Sequence, residues 1–219
     1  KSSVLVGDYL FARAFQLMVE TENLRVLGIL SNASAVIAEG EVLQLTAAAS
    51  LATSEAVYMQ VIRGKTAALF AAATEVGAVI AGAPEEWVSA LREYGDALGI
   101  SFQIADDLLD YGGVSASLGK NVGDDFRERK MSLPVIRAVA GADAEDRAFW
   151  ARAIEKGEQG EGDLARAVAL MARRGALEST RATALEHAAR ARMALGPLPE
   201  SSMRRTLEDL ADFVVARLN

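Results

Sequence analysis

The sequence predicts an all-α fold, a single-domain antiparallel helical bundle, and three observations carry that expectation. Hydrophobic residues recur at helical spacing along almost the whole chain, with no sustained alternation of the kind a half-buried strand needs. Of the 219 residues, 51% are hydrophobic but only 6% aromatic, and alanine is abundant, a mixture that favours closely packed helices over sheets. The connections between periodic segments are short, which makes consecutive helices antiparallel neighbours around one core. A chain of this length is sufficient for one sizeable core.

The elements follow in order. A first helix is expected over Ser3 to Glu20 and a second over Leu24 to Ala49. A third spans Ser54 to Ala81 and is closed by Gly82. The fourth opens at Pro84-Glu85-Glu86, with proline in the first turn and acids facing the positive helix end. It runs to Tyr111 and stops at Gly112-Gly113. A polar stretch rich in Gly, Asp and Lys follows, from Val114 to Lys130. Ser132 then caps a short helix whose first turn holds Pro134. The remainder reads as helices over Ala144–Lys156, Gly162–Leu195 and Pro199–Leu218.

Composition excludes several chemistries. There are no cysteines and one histidine, His187, so disulfide frameworks, thiolate zinc sites, cysteine nucleophiles and multi-histidine metal clusters are ruled out. Any acid, base or metal ligand must come mainly from Asp and Glu. A formal net charge of −7 without a concentrated basic patch argues against a nucleic-acid partner. The opening Lys1-Ser2-Ser3 has no secretory pattern, and the apolar window Ala67 to Ala83 is interrupted by Glu75 and falls short of a membrane span. These features set the expectation of a cytoplasmic protein. An apolar helical pattern starts at once with Val4, Leu5 and Val6, without an initiating Met, so further residues are expected upstream of Lys1.

The centre of the chemistry is Phe102-Gln103-Ile104-Ala105-Asp106-Asp107-Leu108-Leu109-Asp110. On a helix Asp106 and Asp110 stack one turn apart, Asp107 is adjacent, and Gln103 lies one turn earlier. Like charges at this spacing repel by roughly 0.2–0.5 kcal/mol per pair even in solvent, and the surrounding leucines and isoleucine imply partial burial, where unpaired charge costs more. A cation is expected there, and hard Mg²⁺ takes one or two carboxylates plus water and phosphate oxygens. Alone, an Asp-Asp-x-x-Asp cluster reads as a solvated acidic turn. Its context is Gly119-Lys120-Asn121-Val122-Gly123-Asp124-Asp125, with Lys130 beyond. Glycines permit a tight loop, and Lys120 and Lys130 are placed to offer point charges to phosphate oxygens. Carboxylate-bound metal on one side and lysines on the other make a diphosphate clamp that holds a leaving group.

Two further elements belong to the set. Gly64-Lys65-Thr66 lies mid-helix among alanines and apolar residues, where an unpaired ammonium is costly and a lysine reaching into a polar cavity is the alternative. It is not a P-loop, since the first glycine of that motif is missing and a helix precedes it. Gly40-Glu41-Val42-Leu43-Gln44 puts Glu41 and Gln44 on one helix face, either a partly exposed polar face or a cavity wall.

Taken together and in this order, these residues resemble the trans-isoprenyl (polyprenyl) diphosphate synthases. Asp106-Asp107-x-x-Asp110 preceded by Phe102-Gln103 is similar to the second aspartate-rich motif of that family, Gly119-Lys120-x-x-Gly123-x-Asp125 with Lys130 to its phosphate-binding loop, and Lys65-Thr66 to its lysine–threonine pair. Gly7-Asp8-Tyr9-Leu10 and Gly40-Glu41-x-x-Gln44 match in type and spacing, and the wording is most similar to bacterial long-chain synthases such as the octaprenyl enzymes that make quinone side chains.

The resemblance implies an isoprenoid-synthase fold and Mg²⁺-dependent elongation of an allylic diphosphate by isopentenyl diphosphate, with Mn²⁺ as a substitute metal. Asp106, Asp107 and Asp110 would bind Mg²⁺, with Asp110 the least direct; Lys65, Lys120 and Lys130 would hold diphosphate oxygens; Thr66 and Gln103 would line the cationic centre. An apolar helical barrel that excludes water suits a carbocation. The released pyrophosphate would accept the proton, and His187 would be structural. A homodimer is implied, with Leu10, Phe11, Phe15, Leu27 and Leu30 serving either its interface or the core, and at most peripheral membrane contact for product release. The family's first aspartate-rich motif and its isopentenyl diphosphate-binding basic residues lie ahead of Gly7-Asp8 and are not in these residues, which on their own are therefore expected to be inactive. Two other readings are a terpene cyclase, whose second metal motif is usually an Asn/Asp-Ser/Thr-Glu pattern, and a non-catalytic subunit of a heteromeric synthase, which would be expected to lose the carboxylates kept here.

Overall fold

The computed structural model describes residues 2–112 and 122–218. Among them every regular element is helical. The order is α1 (Ser2–Glu20), α2 (Leu24–Ala47), α3 (Glu55–Ile62), a π-turn (Arg63–Ala67), α4 (Ala68–Ile80) and α5 (Glu85–Leu109). From residue 122 on come α6 (Asp124–Arg127), α7 (Leu133–Ala140), α8 (Ala144–Trp150), a second π-turn (Ala151–Glu155), α9 (Asp163–Arg173), α10 (Ala176–Ala194) and α11 (Ser202–Ala216).

Local chemistry sets the helix starts. The Asn23 side chain accepts the backbone N–H groups of Arg25 and Val26 at the head of α2, and Ser54 accepts that of Val57 at the head of α3. Pro84 leads into α5, whose first turn carries Glu85 and Glu86. Arg25 forks onto both oxygens of Glu85 at 2.7 and 2.5 Å, tying the start of α2 to the start of α5.

Helix α5 is the axis of the molecule, packed against α4 on one side and α10 on the other. Tyr94, Ile100 and Ile104 along it are completely buried, each apolar side chain contributing roughly 1.5–3 kcal/mol of transfer free energy. Its buried polar groups are satisfied: the Tyr94 hydroxyl donates to the Leu207 carbonyl and Ser101 donates to the Ala184 carbonyl, both at 2.8 Å.

Several expectations are refined. The helix expected over Ser54–Ala81 is interrupted by the Arg63–Ala67 π-turn, in which the Ala68 amide bonds back to the Arg63 carbonyl. A single inserted residue of this kind leaves the apolar pattern on either side intact, so periodicity does not register it. The helix expected over Gly162–Leu195 is two, because Gly175 adopts φ +66° between Arg174 and Ala176, a left-handed conformation that ends α9. Ala144–Lys156 is α8 followed by the second π-turn, and the polar stretch holds the short helix α6. The window Ala67–Ala83 contains only the 13-residue α4. Among the described residues, the one helix long and apolar enough to cross a membrane by length and composition is α2, which packs against α3, α4 and the π-turn between them.

Leu10 and Phe11 are exposed on α1, whereas Phe15, Leu27 and Leu30 are half-buried, so the first two do not belong to the core.

Candidate active site

Helices α2, α3 and α5, the π-turn and the segment after α6 converge on a cavity of about 110 Å³. Its wall is apolar at Ala47, Ala48, Val61, Ile62 and Met131, and charged or polar at Gln44, Tyr58, Lys65, Gln103, Asp106, Asp107, Asp125 and Lys130. Residues separated by up to 88 positions, Gln44 to Ser132, thus share one small volume.

The π-turn delivers two side chains to two neighbouring helices. Lys65 Nζ donates to Gln44 Oε1 at 2.9 Å and pairs with Glu41 Oε1 at 3.2 Å, both on α2. The lysine is therefore partnered, as a lysine reaching into a polar cavity should be, and of the two α2 residues Gln44 lines the cavity while Glu41 stays exposed beside it. Thr66, next in sequence, donates its hydroxyl to Gln103 Oε1 on α5 at 2.8 Å.

Gln103 passes the connection on. Its Nε2 donates to Asp107 Oδ1 at 2.8 Å, while the Tyr58 hydroxyl donates to Asp107 Oδ2 at 2.7 Å. Tyr58 is 5% exposed and Asp107 7%. Burial pushes the Asp107 carboxyl well above the usual carboxylate range, and the nearby Asp125 charge adds to the effect against the two hydrogen bonds. Burial, with the Asp107 charge behind it, likewise raises the Tyr58 phenol.

The opposite wall is built by α6. Asp110, at the end of α5, accepts the backbone N–H groups of Asp124 and Asp125 at 3.2 and 3.0 Å, and its own carbonyl accepts that of Gly123 at 2.9 Å. Gly123 has φ +84°, a conformation open to glycine, just before the helix begins. Asp125 then bonds Lys130 Nζ at 2.7 Å, and Glu128 reaches the same ammonium at 2.9 Å. Burial disfavours the Lys130 charge, but the bonds to Asp125 and Glu128 outweigh it and hold the ammonium firmly protonated.

Of the residues expected from sequence, Lys65, Gln103, Asp106, Asp107 and Lys130 line the cavity, and Thr66 joins it through Gln103. Asp110 does not line it; both of its oxygens are engaged by backbone, so it acts as the anchor of the α6 loop. Lys120 lies outside the described residues. Sequence reasoning left out Tyr58 and Asp125 as wall residues. Tyr58 carries no local signal, being 49 positions from its partner, whereas Asp125 stood within the loop motif. His187 is not among the residues lining this cavity.

Among the described residues no three His, Asp or Glu side chains are drawn together as a ready metal-ligand set. The donors that are present are nonetheless of one kind. Asp106, Asp107 and Asp125 all line the cavity, with Asp107 buried among them. Carboxylate oxygens beside lysines fit a hard divalent ion that shares its coordination with phosphate oxygens.

Comparison with known proteins agrees with this chemistry. The sequence model of the polyprenyl synthetase family matches residues 1–171. The octaprenyl diphosphate synthase of Haemophilus influenzae is 43% identical over 216 residues, a match that covers 99% of the chain and 65% of that enzyme. A crystal structure of a decaprenyl diphosphate synthase from Rhodobacter capsulatus superposes with a TM-score of 0.95 at 66% identity, covering 100% of the chain and 67% of that protein. A polyprenyl synthase from Caulobacter crescentus, crystallised with calcium and isoprenyl diphosphate, superposes with a TM-score of 0.94 at 53% identity over 98% of the chain and 66% of that protein. The chain thus spans about two thirds of the length of these relatives.

Proposed function

The chain belongs to the polyprenyl synthetase family, and from that premise we propose that it forms the diphosphate-ionising part of a Mg²⁺-dependent trans-prenyltransferase, extending an allylic diphosphate with isopentenyl diphosphate. The observation that carries the reading is the meeting of Lys65 and Lys130 with Asp106 and Asp107 in one cavity. The octaprenyl and decaprenyl products in the relatives' names, and the calcium and isoprenyl diphosphate of the Caulobacter protein, support a long-chain product and this ligand class.

In this proposal Lys65 and Lys130 bind the allylic diphosphate oxygens, exchanging their contacts with Glu41 and Gln44, and with Asp125 and Glu128, for phosphate. Lys120, in the polar sequence stretch ahead of α6, is assigned the same role by its resemblance. Asp106 and Asp107 would hold the Mg²⁺, and Asp110 would support them by fixing the loop. When bound, the ion neutralises charge that develops on the departing diphosphate. The allylic carbon–oxygen bond breaks, the isopentenyl double bond attacks that carbon, and one proton is lost to the released pyrophosphate. Thr66 and Gln103 present oxygen dipoles to the cationic centre; their mutual hydrogen bond keeps them oriented, and neither is a strong nucleophile. Val61, Ile62, Ala47 and Ala48 keep water from the cation.

One domain over residues 1–219, a homodimeric assembly using the exposed Leu10 and Phe11 face, and a cytoplasmic location complete the proposal. The test is incorporation of labelled isopentenyl diphosphate into a longer prenyl diphosphate by the intact protein. Activity that needs Mg²⁺ and falls at least about a hundredfold in Lys65→Ala supports it, the size expected when a group that positions the reacting diphosphate is lost. Unchanged turnover in that variant refutes it.

A further inference from the structure

Lys65 and Thr66 reach two different helices from one π-turn, and that turn is closely gripped on both sides by backbone. On the α2 side, a Cβ added at Gly40 would stand 2.6 Å from the Lys65 nitrogen and 2.9 Å from the Gly64 carbonyl carbon. On the α5 side, a Cβ at Gly99 would stand 2.6 Å from the Ala67 Cα. No real side chain tolerates these separations, so the three backbones touch at van der Waals distance. Each glycine lies four residues before the glutamine that receives a π-turn side chain. Gln44 follows Gly40 and binds Lys65; Gln103 follows Gly99 and binds Thr66. On each helix the close approach and the hydrogen bond are therefore one turn apart on one face.

We propose that Gly40 and Gly99 are positioning residues that clamp the Arg63–Ala67 π-turn and so hold Lys65 in the candidate active-site cavity and Thr66 on Gln103. The wider turn needs lateral room, which a methyl group on either neighbour removes. Relaxation to ordinary α geometry would rotate the residues after the turn by about one helical step, roughly 100°. Tyr58 on α3, ahead of the turn, and Lys65 and Thr66 within it would then no longer keep their present relation to α2 and α5. The clamp acts on geometry, not on charge, since neither glycine reaches substrate. This inference rests on the reading of Lys65 as a diphosphate contact.

The test compares variants with steric clashes inside and outside the turn. Titration calorimetry of the intact protein with inorganic pyrophosphate and Mg²⁺ reads binding, and thermal unfolding reads stability. Gly40→Ala is expected to weaken binding at least about tenfold while still unfolding cooperatively, since misplacement of a positioning group by about 1 Å costs up to a hundredfold. Gly95→Ala is the control: its Cβ would stand 2.5 Å from the Phe70 carbonyl oxygen and 2.7 Å from the Ala71 Cα, beyond the π-turn. It is expected to lose stability with binding kept. Gly64→Ala, whose nearest contact would be 3.2 Å to the Gly40 Cα, should fold even if Gly40→Ala does not, and should show a smaller loss of binding. Wild-type binding in a folded Gly40→Ala, in Gly64→Ala when Gly40→Ala does not fold, or equal loss in Gly95→Ala, overturns the clamp. Lys65→Ala in the same assay separates the two ideas: if it binds normally, the diphosphate reading of Lys65 fails instead.

Discussion

Tyr58 on α3 donates its hydroxyl to Asp107 on α5 at 2.7 Å, joining two helices at the wall of the candidate site's cavity. Because Gln103 occupies the other Asp107 oxygen, the carboxylate is held from both sides. Tyr58→Phe removes one donor without changing the packing volume. It is expected to cost about 1–3 kcal/mol of stability, the range for depriving a buried polar group of its partner. Urea unfolding measures this as a lower midpoint at unchanged slope. An unchanged midpoint would mean that the hydroxyl is not needed to satisfy Asp107.

Asp110 makes a different kind of contact, accepting two backbone N–H groups at the head of α6. Asn at this position has one acceptor oxygen instead of two, so one amide must lose its partner. Asp110→Asn should speed hydrogen exchange at the amides of Asp124 and Asp125 while leaving exchange in the middle of α5 unaltered. Equal protection in both proteins would show that the loop is held by other means.

Much of the fold was legible because α5 announces itself at both ends. Pro84 with Glu85 and Glu86 starts it, and a glycine pair follows its end. The aspartates, Gln103 and Lys65 were legible as residue types in register on helices, and Lys130 as part of the polar stretch after α5. Three features were not. The π-turn hides within an unbroken apolar pattern, and the Gly175 break looks like a tolerated helical glycine until its φ of +66° is seen. The role of Asp110 depends on where two loop amides return in space, which spacing along one helix does not encode.

Away from the cavity, Asp163 at the start of α9 receives both ends of the Arg152 guanidinium at 2.7 and 2.8 Å, and the Gly160 amide at 2.7 Å. The Arg152 hydrogen bonds, then the Gly160 amide, hold its carboxyl down at about 2, from an ordinary 3.8. The folded state therefore binds a proton less readily than the unfolded chain. The stabilisation is complete above the ordinary value and is lost as pH falls through the interval down to about 2. Asp163→Asn should lower the unfolding temperature at neutral pH, with the gap to wild type closing across that interval. A gap independent of pH would contradict the assignment to charge.

The claim on which the functional reading turns is that the cavity carboxylates and lysines act together on a metal-bound diphosphate. Calorimetric titration of the intact protein with pyrophosphate, with and without Mg²⁺, tests it most directly. The account predicts strong binding only with Mg²⁺, and loss of that Mg²⁺ dependence in Asp106→Asn and in Asp107→Asn. Equal pyrophosphate affinity with and without the metal, or full Mg²⁺ dependence in both variants, would contradict it.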